Sequence, residues 1–243
     1  MVIEELIQAA ARLRDDVDII GQYLIQDEKI DCVYNPLIYA WEPHKAFIEL
    51  GGGKGAKTLL LGMNPGPHGM GQMGIPFSAT TVVRDLLNIR DLEVKQPRNL
   101  HPKRPVTGLN WHKEEVSGTR LWNLLEEQYG DSEKIFSNVF VVNHCPLMLF
   151  NGERATNITP DKISGEYVKE LIQRCDQHLK EVVKIMGINK VIGIGKYAEK
   201  RAIKALKGMN IEIVSCWHPS PASPLANRNK GKDWRENIRS VLP

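Results

Sequence analysis

A chain of 243 residues, 42% hydrophobic and 25% charged, is long enough for one sizeable α/β domain with a buried core and has an ordinary globular composition. No apolar run approaches the roughly 20 residues that span a bilayer, and the acidic start Met1-Val2-Ile3-Glu4-Glu5 lacks the pattern of a secretory signal, so a soluble, intracellular protein with no membrane partner is expected. A net charge of +3 and a pI near 8.6 permit an anionic partner while excluding a histone-like binder.

In chain order, apolar positions at helical spacing over 2–26 (Leu6, Ala9, Ala10, Leu13, Val17, Ile20, Leu24) predict an amphipathic helix. Apolar runs of strand length follow at Thr58–Met63, Val139–Asn143, Lys190–Ile194 and Ile211–Cys216. Helical patterns separate them: 79–89 with 117–129, then 160–186, then 197–207, with a last helix at 234–242. Continuous apolar strands alternating with helices predict a four-stranded parallel sheet covered on both faces, joined by right-handed crossovers. Neither a repeat nor a low-complexity linker interrupts the chain, so a single domain over 1–243, and a monomer, are expected. Cys32, Cys145, Cys175 and Cys216 are widely spaced without a Cys-x-x-Cys pair, which predicts buried, reduced thiols and no metal site; no cofactor is expected either.

Ligands of such sheets bind at the carboxyl ends of the strands, which directs attention to 64–78, 143–150, 195–198 and 217–233. Two glycine patterns are weak. Gly51-Gly52-Gly53-Lys54-Gly55 precedes its strand and lacks the Gly-Lys-Ser/Thr of a phosphate loop, so it reads as a turn. Gly193-x-Gly195-x-x-Ala198 follows a strand, and Glu212 lies 17 residues beyond Gly195, as in a dinucleotide fingerprint. Glu212, however, falls inside a strand pattern, and tight helix–sheet packing explains both glycines.

Three strand ends carry more. Residues 62–77 hold five glycines and three prolines in sixteen positions, a backbone path that brings main-chain amides close to a ligand, with Asn64 at the strand end. Trp217-His218-Pro219-Ser220-Pro221-Ala222-Ser223-Pro224 holds a histidine beside prolines after the last strand, and Asn143-His144-Cys145-Pro146-Leu147 puts an amide at a third strand end. Asn offers a donor and an acceptor together, which suits it to reading a ligand edge that presents both. Singly, each is a turn or core residue; together at one sheet edge they predict a pocket.

Gly62-Met63-Asn64-Pro65-Gly66-Pro67 and His218-Pro219-Ser220-Pro221 resemble the two signature motifs of the single-strand-selective monofunctional uracil-DNA glycosylases. The resemblance extends over nearly the whole chain, through Tyr34-Asn35-Pro36, Tyr39-Ala40-Trp41-Glu42-Pro43-His44, His101-Pro102-Lys103-Arg104-Pro105-Val106, Glu115-Val116-Ser117-Gly118 and Asn143-x-Cys145-Pro146-Leu147. It implies a four-stranded parallel sheet between helices and a glycosylase that hydrolyses uracil and 5-substituted uracils, with xanthine a further candidate, in single- and double-stranded DNA. It also implies that Asn64 positions the attacking water, His218 hydrogen-bonds the uracil O2, Asn143 reads the base edge and Phe77 stacks on it. Main-chain amides near Met63 and Gly66 complete the pocket, and Met70 belongs to the same base-binding set. Gly66 stands where the main uracil-DNA glycosylase family has a bulky Tyr, so the C5 side of the base is expected to be open.

The segment after His218 is expected to engage DNA: Ser220 at a phosphate, Pro221, Ala222, Ser223, Pro224 and Leu225 as the wedge, Arg228 and Lys230 at the backbone. The family usually carries Arg at the place of Ala222, so a cationic plug is missing there. A second basic run, Lys95 to Arg104, holds four cationic side chains and His101. Other readings stay open: a mismatch-specific uracil/thymine glycosylase, which lacks the second-motif histidine; a dinucleotide-dependent enzyme; and a DNA-binding module without catalysis.

Overall fold

The computed structural model describes residues 1–26 and 30–243. α1 (Val2–Leu24) buries Leu6, Ala9, Ala10, Leu13, Val17, Ile20 and Leu24, the stripe its periodicity predicts. After it come a short strand β1 (Cys32–Tyr34), α2 (Pro36–Tyr39), α3 (Trp41–Gly51) and the first core strand, β2 (Thr58–Gly62). Asn35 caps α2 by accepting the Leu37 N–H at 3.2 Å, which explains its place before Pro36. The glycine run 51–55 closes α3 and turns the chain, Lys54 N donating to the Gly51 carbonyl.

From β2 the chain passes through α4 (Met70–Met73) and a π-type turn at Val82–Leu86 to α5 (Val116–Tyr129) and α6 (Ser132–Asn138), then enters β3 (Val139–Asn143). It continues through β4 (Met148–Asn151), β5 (Thr156–Ile158), α7 (Glu166–Met186), β6 (Lys190–Ile194), α8 (Lys196–Ala205) and β7 (Glu212–Cys216), and ends in α9 (Pro224–Asn227) and α10 (Lys232–Arg239). The four predicted strands form one parallel sheet of order β3-β2-β6-β7, with Gly62 opposite Asn143 and Ile194 opposite Cys216. The sheet runs one way from β2 to β3 and the other way from β3 to β6, so right-handed crossovers put α5–α6 and α7–α8 on opposite faces. α7 packs along α1 and against α8, and α6 packs against α3 and α5. β2 is buried at all five positions, whereas the edge strand β7 is exposed at its start.

The structure departs from the sequence expectations in several places. A second, antiparallel sheet of order β1-β4-β5 was not predicted: its strands have three or four residues, too short for a periodic signal, and β4 starts within the stretch 143–150 that was read only as the segment following a strand. Segment 79–89 is only the turn around Val82–Leu86, because Leu87 N returns to the Val82 carbonyl and Asn88 takes a left-handed φ of 52°. α7 starts at Glu166 rather than 160, since Pro160–Lys162 is a separate 3-10 turn. The last helix is Lys232–Arg239 instead of 234–242, and the strands lose Met63 and Ile211 at their ends.

All four cysteines are free and buried. No helix among the described residues is long and apolar enough to cross a membrane, and no group of three or more His, Cys, Asp or Glu among them could hold a metal ion.

His44 and His178 face each other's surroundings across an internal space lined by Leu6, Ala10, Phe47 and Val182. Burial holds His44 at about 4 and His178 at about 3, against an ordinary 6.5, so both fold neutral. Between those values the unfolded chain binds more protons, and their stabilising contribution, full above pH 6.5, is lost as pH falls. Urea titrations at pH 7.5 and pH 5 should therefore differ by about 4 kcal/mol, half from each histidine, with the lower stability at pH 5.

Candidate active site

The pairing of β2 and β3 continues past the last strand residues. His144 N donates to the Gly62 carbonyl at 3.0 Å and Cys145 N to the Met63 carbonyl at 2.8 Å, so two of the three predicted strand-end segments are zipped together. His144 is buried, bonded through Nε2 to Asp176 (2.9 Å) and through Nδ1 to the Tyr197 hydroxyl (3.0 Å), and Arg201 completes the network on Asp176. It anchors the β3 end to α7 and α8 and does not face the cleft.

Gly62 has a packing reason to lack a side chain: an added Cβ would stand 2.1 Å from Asn143 Oδ1 and 2.4 Å from the Phe77 ring. The absent methyl lets the Asn143 amide and the Phe77 ring meet over the end of β2. Phe77 has a φ of 52°, unfavourable for a non-glycine residue and held because α5 presses on its backbone; a Cβ at Gly118 would lie 2.1 Å from the Phe77 carbonyl. The loop folds back on itself through Gly71 N and the Gly66 carbonyl at 3.0 Å.

His218 comes from the other side. Ser220 N donates to its Nδ1 at 3.1 Å, so the neutral ring carries its proton on Nε2, and burial lowers the ring's pKa below 6.5 and keeps it neutral. Gly195, at φ 90°, brings the start of α8 within van der Waals reach of His218 Cβ, while Gly193 lets α8 cross the strand where a Cβ would come 2.4 Å from Glu199 N. Glu212 opens β7 at the opposite end of the sheet and pairs with Lys190 at 3.4 Å. The glycine pattern is thus a helix–sheet contact that shapes the histidine's seat, and Glu212 lies at the wrong end of its strand to meet a ribose.

Arg120 of α5 clamps the histidine loop, donating to the Pro219 carbonyl at 3.0 Å and to Asn227 Oδ1 at 2.9 Å. Trp217 is pinned by Asn237 Oδ1 through its N–H (2.8 Å) and by the Trp234 indole through its carbonyl (2.9 Å).

These elements enclose a cleft of about 310 Å³ lined by Met63, Asn64, Pro65, Gly66, Met70, Phe77, Asn143, His218 and Ser220. That falls at the low end of the roughly 300–1,000 Å³ of small-ligand sites. Every residue predicted for catalysis or base binding lines this one cleft. Two of its buried polar atoms, Asn64 Nδ2 and Asn143 Oδ1, have no hydrogen-bond partner among the described residues, while Asn143 Nδ2 donates to Met70 Sδ at 3.2 Å. Orphaned buried polar atoms are costly, so a pair of them on two residues that line one cleft is the kind of arrangement a ligand completes.

The predicted DNA segment forms the rim. Ser220 Oγ accepts the Ala222 N–H, and Ser223 caps α9 through the Ala226 N–H. Pro221, Ala222, Pro224 and Leu225 are exposed, Leu225 at 45%. Lys230 is exposed with a φ of 57°, and Arg228 is exposed but paired with Asp233 at 3.0 Å. The second basic run is partly engaged by the protein itself: Arg98 pairs with Asp18 at 3.6 Å, and Arg104 donates to the Ala155 carbonyl.

Sequence reasoning missed Glu115, Ser117, Asn157 and Thr159 as cleft residues, and Arg120 as the clamp. Glu115 and Ser117 sit at the start of α5, where a short motif named them without a role. Asn157 and Thr159 reach the cleft only through the β4–β5 pairing, which leaves no sequence signal.

Replacing Arg120 with Met removes both clamp bonds and keeps the apolar stem. The variant should stay folded by circular dichroism, yet lose about tenfold or more in single-turnover rate, since a displaced His218 misses its target.

Comparison with known proteins agrees with this geometry. The family model of the uracil DNA glycosylase superfamily matches residues 50–242. The chain is 39% identical over 227 residues, 93% of its length and 81% of the relative's, to the single-strand selective monofunctional uracil DNA glycosylase of Bos taurus. It is also 39% identical to the Rattus norvegicus protein of that name, over 88% of this chain and 77% of the relative. Among solved structures, SMUG2 of Pedobacter heparinus shares the fold at a TM-score of 0.60 and 17% identity, covering 86% of this chain and 84% of its own. The chain belongs to the uracil-DNA glycosylase superfamily and, within it, to the family of single-strand-selective monofunctional enzymes.

Proposed function

We propose that this protein is a monofunctional DNA glycosylase that hydrolyses the N-glycosidic bond of uracil, and of uracils substituted at C5, in single- and double-stranded DNA, opening base-excision repair. The observation that carries the reading is the tautomer of His218. With Nδ1 occupied by the Ser220 N–H, Nε2–H is left as a neutral donor in a cleft that also holds the unpaired Asn64 and Asn143 atoms.

N-glycosidic cleavage leaves an oxocarbenium-like sugar and an anionic base, whose charge gathers on O2. A positioned donor at O2 stabilises that charge by about 3–4 kcal/mol. His218 needs no charge for this; protonation at Nδ1 would instead set two N–H groups against each other at Ser220. Asn64 cannot accept a proton at neutral pH, so it orients the water, and the positive character of the sugar draws the attack. Asn143 Oδ1 accepts the uracil N3–H and its Nδ2 donates to O4, a pattern cytosine inverts by presenting an acceptor and then a donor. Phe77 stacks on the base. The base enters the cleft by leaving its helix or single strand, and Pro221, Ala222 and Leu225 fill the gap from the rim. The names of the relatives support single-stranded substrates in particular.

Uracil oligonucleotides in single- and double-stranded form, incubated with the protein and treated with alkali, should break at uracil and stay whole without alkali. Asn64→Ala and His218→Ala should each lose about a hundredfold or more in rate while remaining folded. Absence of alkali-labile sites in both substrates would defeat the proposal. For the C5 side, Gly66→Tyr should reduce release of 5-hydroxymethyluracil about tenfold more than release of uracil, and equal losses would remove the claim to substituted bases.

A further inference from the structure

We infer that a second nucleotide-binding surface borders the cleft: an unpaired base next to the target stacks on His112, while Lys103 and Lys113 hold the neighbouring phosphates. The inference rests on the reading of the protein as a DNA glycosylase and adds a contact for the flanking strand.

Between Glu93 and Glu114 the chain carries no acidic residue in twenty positions, yet five cations: Lys95, Arg98, Lys103, Arg104 and Lys113. Over the whole chain 32 cations are nearly balanced by 29 acids, so this stretch is a local excess. The fold sorts the five. Arg98 is turned to Asp18 at 3.6 Å, and Lys95 lines a separate depression with Arg14 and Glu42. Arg104 is engaged by the Ala155 carbonyl at 2.7 Å and lies 5.4 Å over the Phe150 ring. Lys103 and Lys113 are exposed, and neither forms an ion pair among the described residues.

Gln72 fixes this segment against the cleft. Its Nε2 donates to the Pro67 carbonyl at 3.1 Å and to the Pro105 carbonyl at 2.9 Å, and its Oε1 accepts the Thr107 N–H at 2.9 Å. Pro67 lines the cleft, so the loop that carries Lys103 is tied to the cleft wall. From the same wall His68 stacks on Trp111, with ring centroids 5.6 Å apart and planes 13° from parallel, and Trp111 packs against His112 at 4.7 Å. Burial, and after it the charges of Lys113, Arg104 and His112, lower the His68 pKa below 6.5, which puts these groups in one neighbourhood. Trp111 is buried and His112 exposed, so the outermost ring of the stack stands open beside Lys113.

An open planar ring beside unpaired ammonium groups holds single-stranded nucleic acid, the ring by stacking on a base and the cations by attracting its phosphates. An unpaired neighbour of the target base can swing onto His112. In a duplex that neighbour stays paired and stacked, and only the phosphate contacts remain. The surface thus favours single strands without any change in the cleft.

Oligonucleotides carrying 2′-fluoro-2′-deoxyuridine, whose electron-poor sugar resists cleavage, separate binding from release. Their affinity in single- and double-stranded form, read by fluorescence anisotropy over a range of salt concentrations, tests the surface. The double variant Lys103→Ala, Lys113→Ala should weaken single-strand binding about tenfold and lower the slope of log affinity against log salt by about 0.7 per lysine. His112→Ala should weaken single-strand binding about fivefold or more and leave duplex binding unchanged. Lys204→Ala, which removes an exposed lysine of α8, should change neither affinity nor slope. A double variant with the wild-type slope would overturn the phosphate contacts, as would an equal effect of Lys204→Ala. Equal losses on single strand and duplex in His112→Ala would overturn the stacking. A wild type that releases no base from ordinary uracil oligonucleotides would instead overturn the glycosylase reading on which the inference rests.

Discussion

Parallel pairing between β2 and β3 runs one step beyond the sheet, and the site is assembled on that step. The bonds from His144 N to the Gly62 carbonyl and from Cys145 N to the Met63 carbonyl bring the Asn64 loop and the Asn143 loop to one height. Because Gly62 has no Cβ, the Asn143 amide and the Phe77 ring both pack onto the strand end. A methyl group there would need the displacement of two side chains that line the cleft. The buried His144–Asp176–Arg201 network ties the same step to α7 and α8 and leaves the slack nowhere to go.

The chemistry of the cleft depends on neutral groups in fixed orientations. His218 is kept uncharged by burial and kept in one tautomer by a main-chain amide. Asn64 and Asn143 each hold a polar atom without a protein partner, an arrangement that costs stability until a ligand arrives. The helix α5 recurs in this account. Its Gly118 presses Phe77 into a left-handed backbone, Arg120 holds the histidine loop, and Glu115 walls one side of the cleft. One element thus sets the Phe77 ring, the histidine seat and the wall beside Gly66 together.

Much of the frame was readable in the sequence. The long apolar runs and the α1 stripe have strong periodic signals because burial on both faces of a parallel strand, or on one face of a long helix, dictates residue type over many positions. Asn64, Asn143 and His218 were legible because strand ends in such a sheet converge on one edge. The antiparallel strands β1, β4 and β5 were not, being too short to show a period. The segment 79–89 misled because its apolar residues are buried in the core around a single turn, which mimics helical spacing without a helix. The pattern at Gly193 and Gly195 looked like a nucleotide motif for a related reason: close approach of a helix to a strand needs glycine whether or not a phosphate is present.

The sequence by itself determined the class of sheet, the edge that carries the cleft and the polar residues that line it, since these follow from local pattern and from the rule that strands in a doubly covered sheet end at a common face. Only the tertiary structure decided the tautomer of His218, the orphaned atoms of Asn64 and Asn143, and the presence of Glu115 opposite Gly66. Each depends on contacts between segments far apart in the chain. Gly66 and Glu115 are separated by nearly fifty positions, and no periodicity or spacing rule reports which side chain will occupy the space that a glycine leaves.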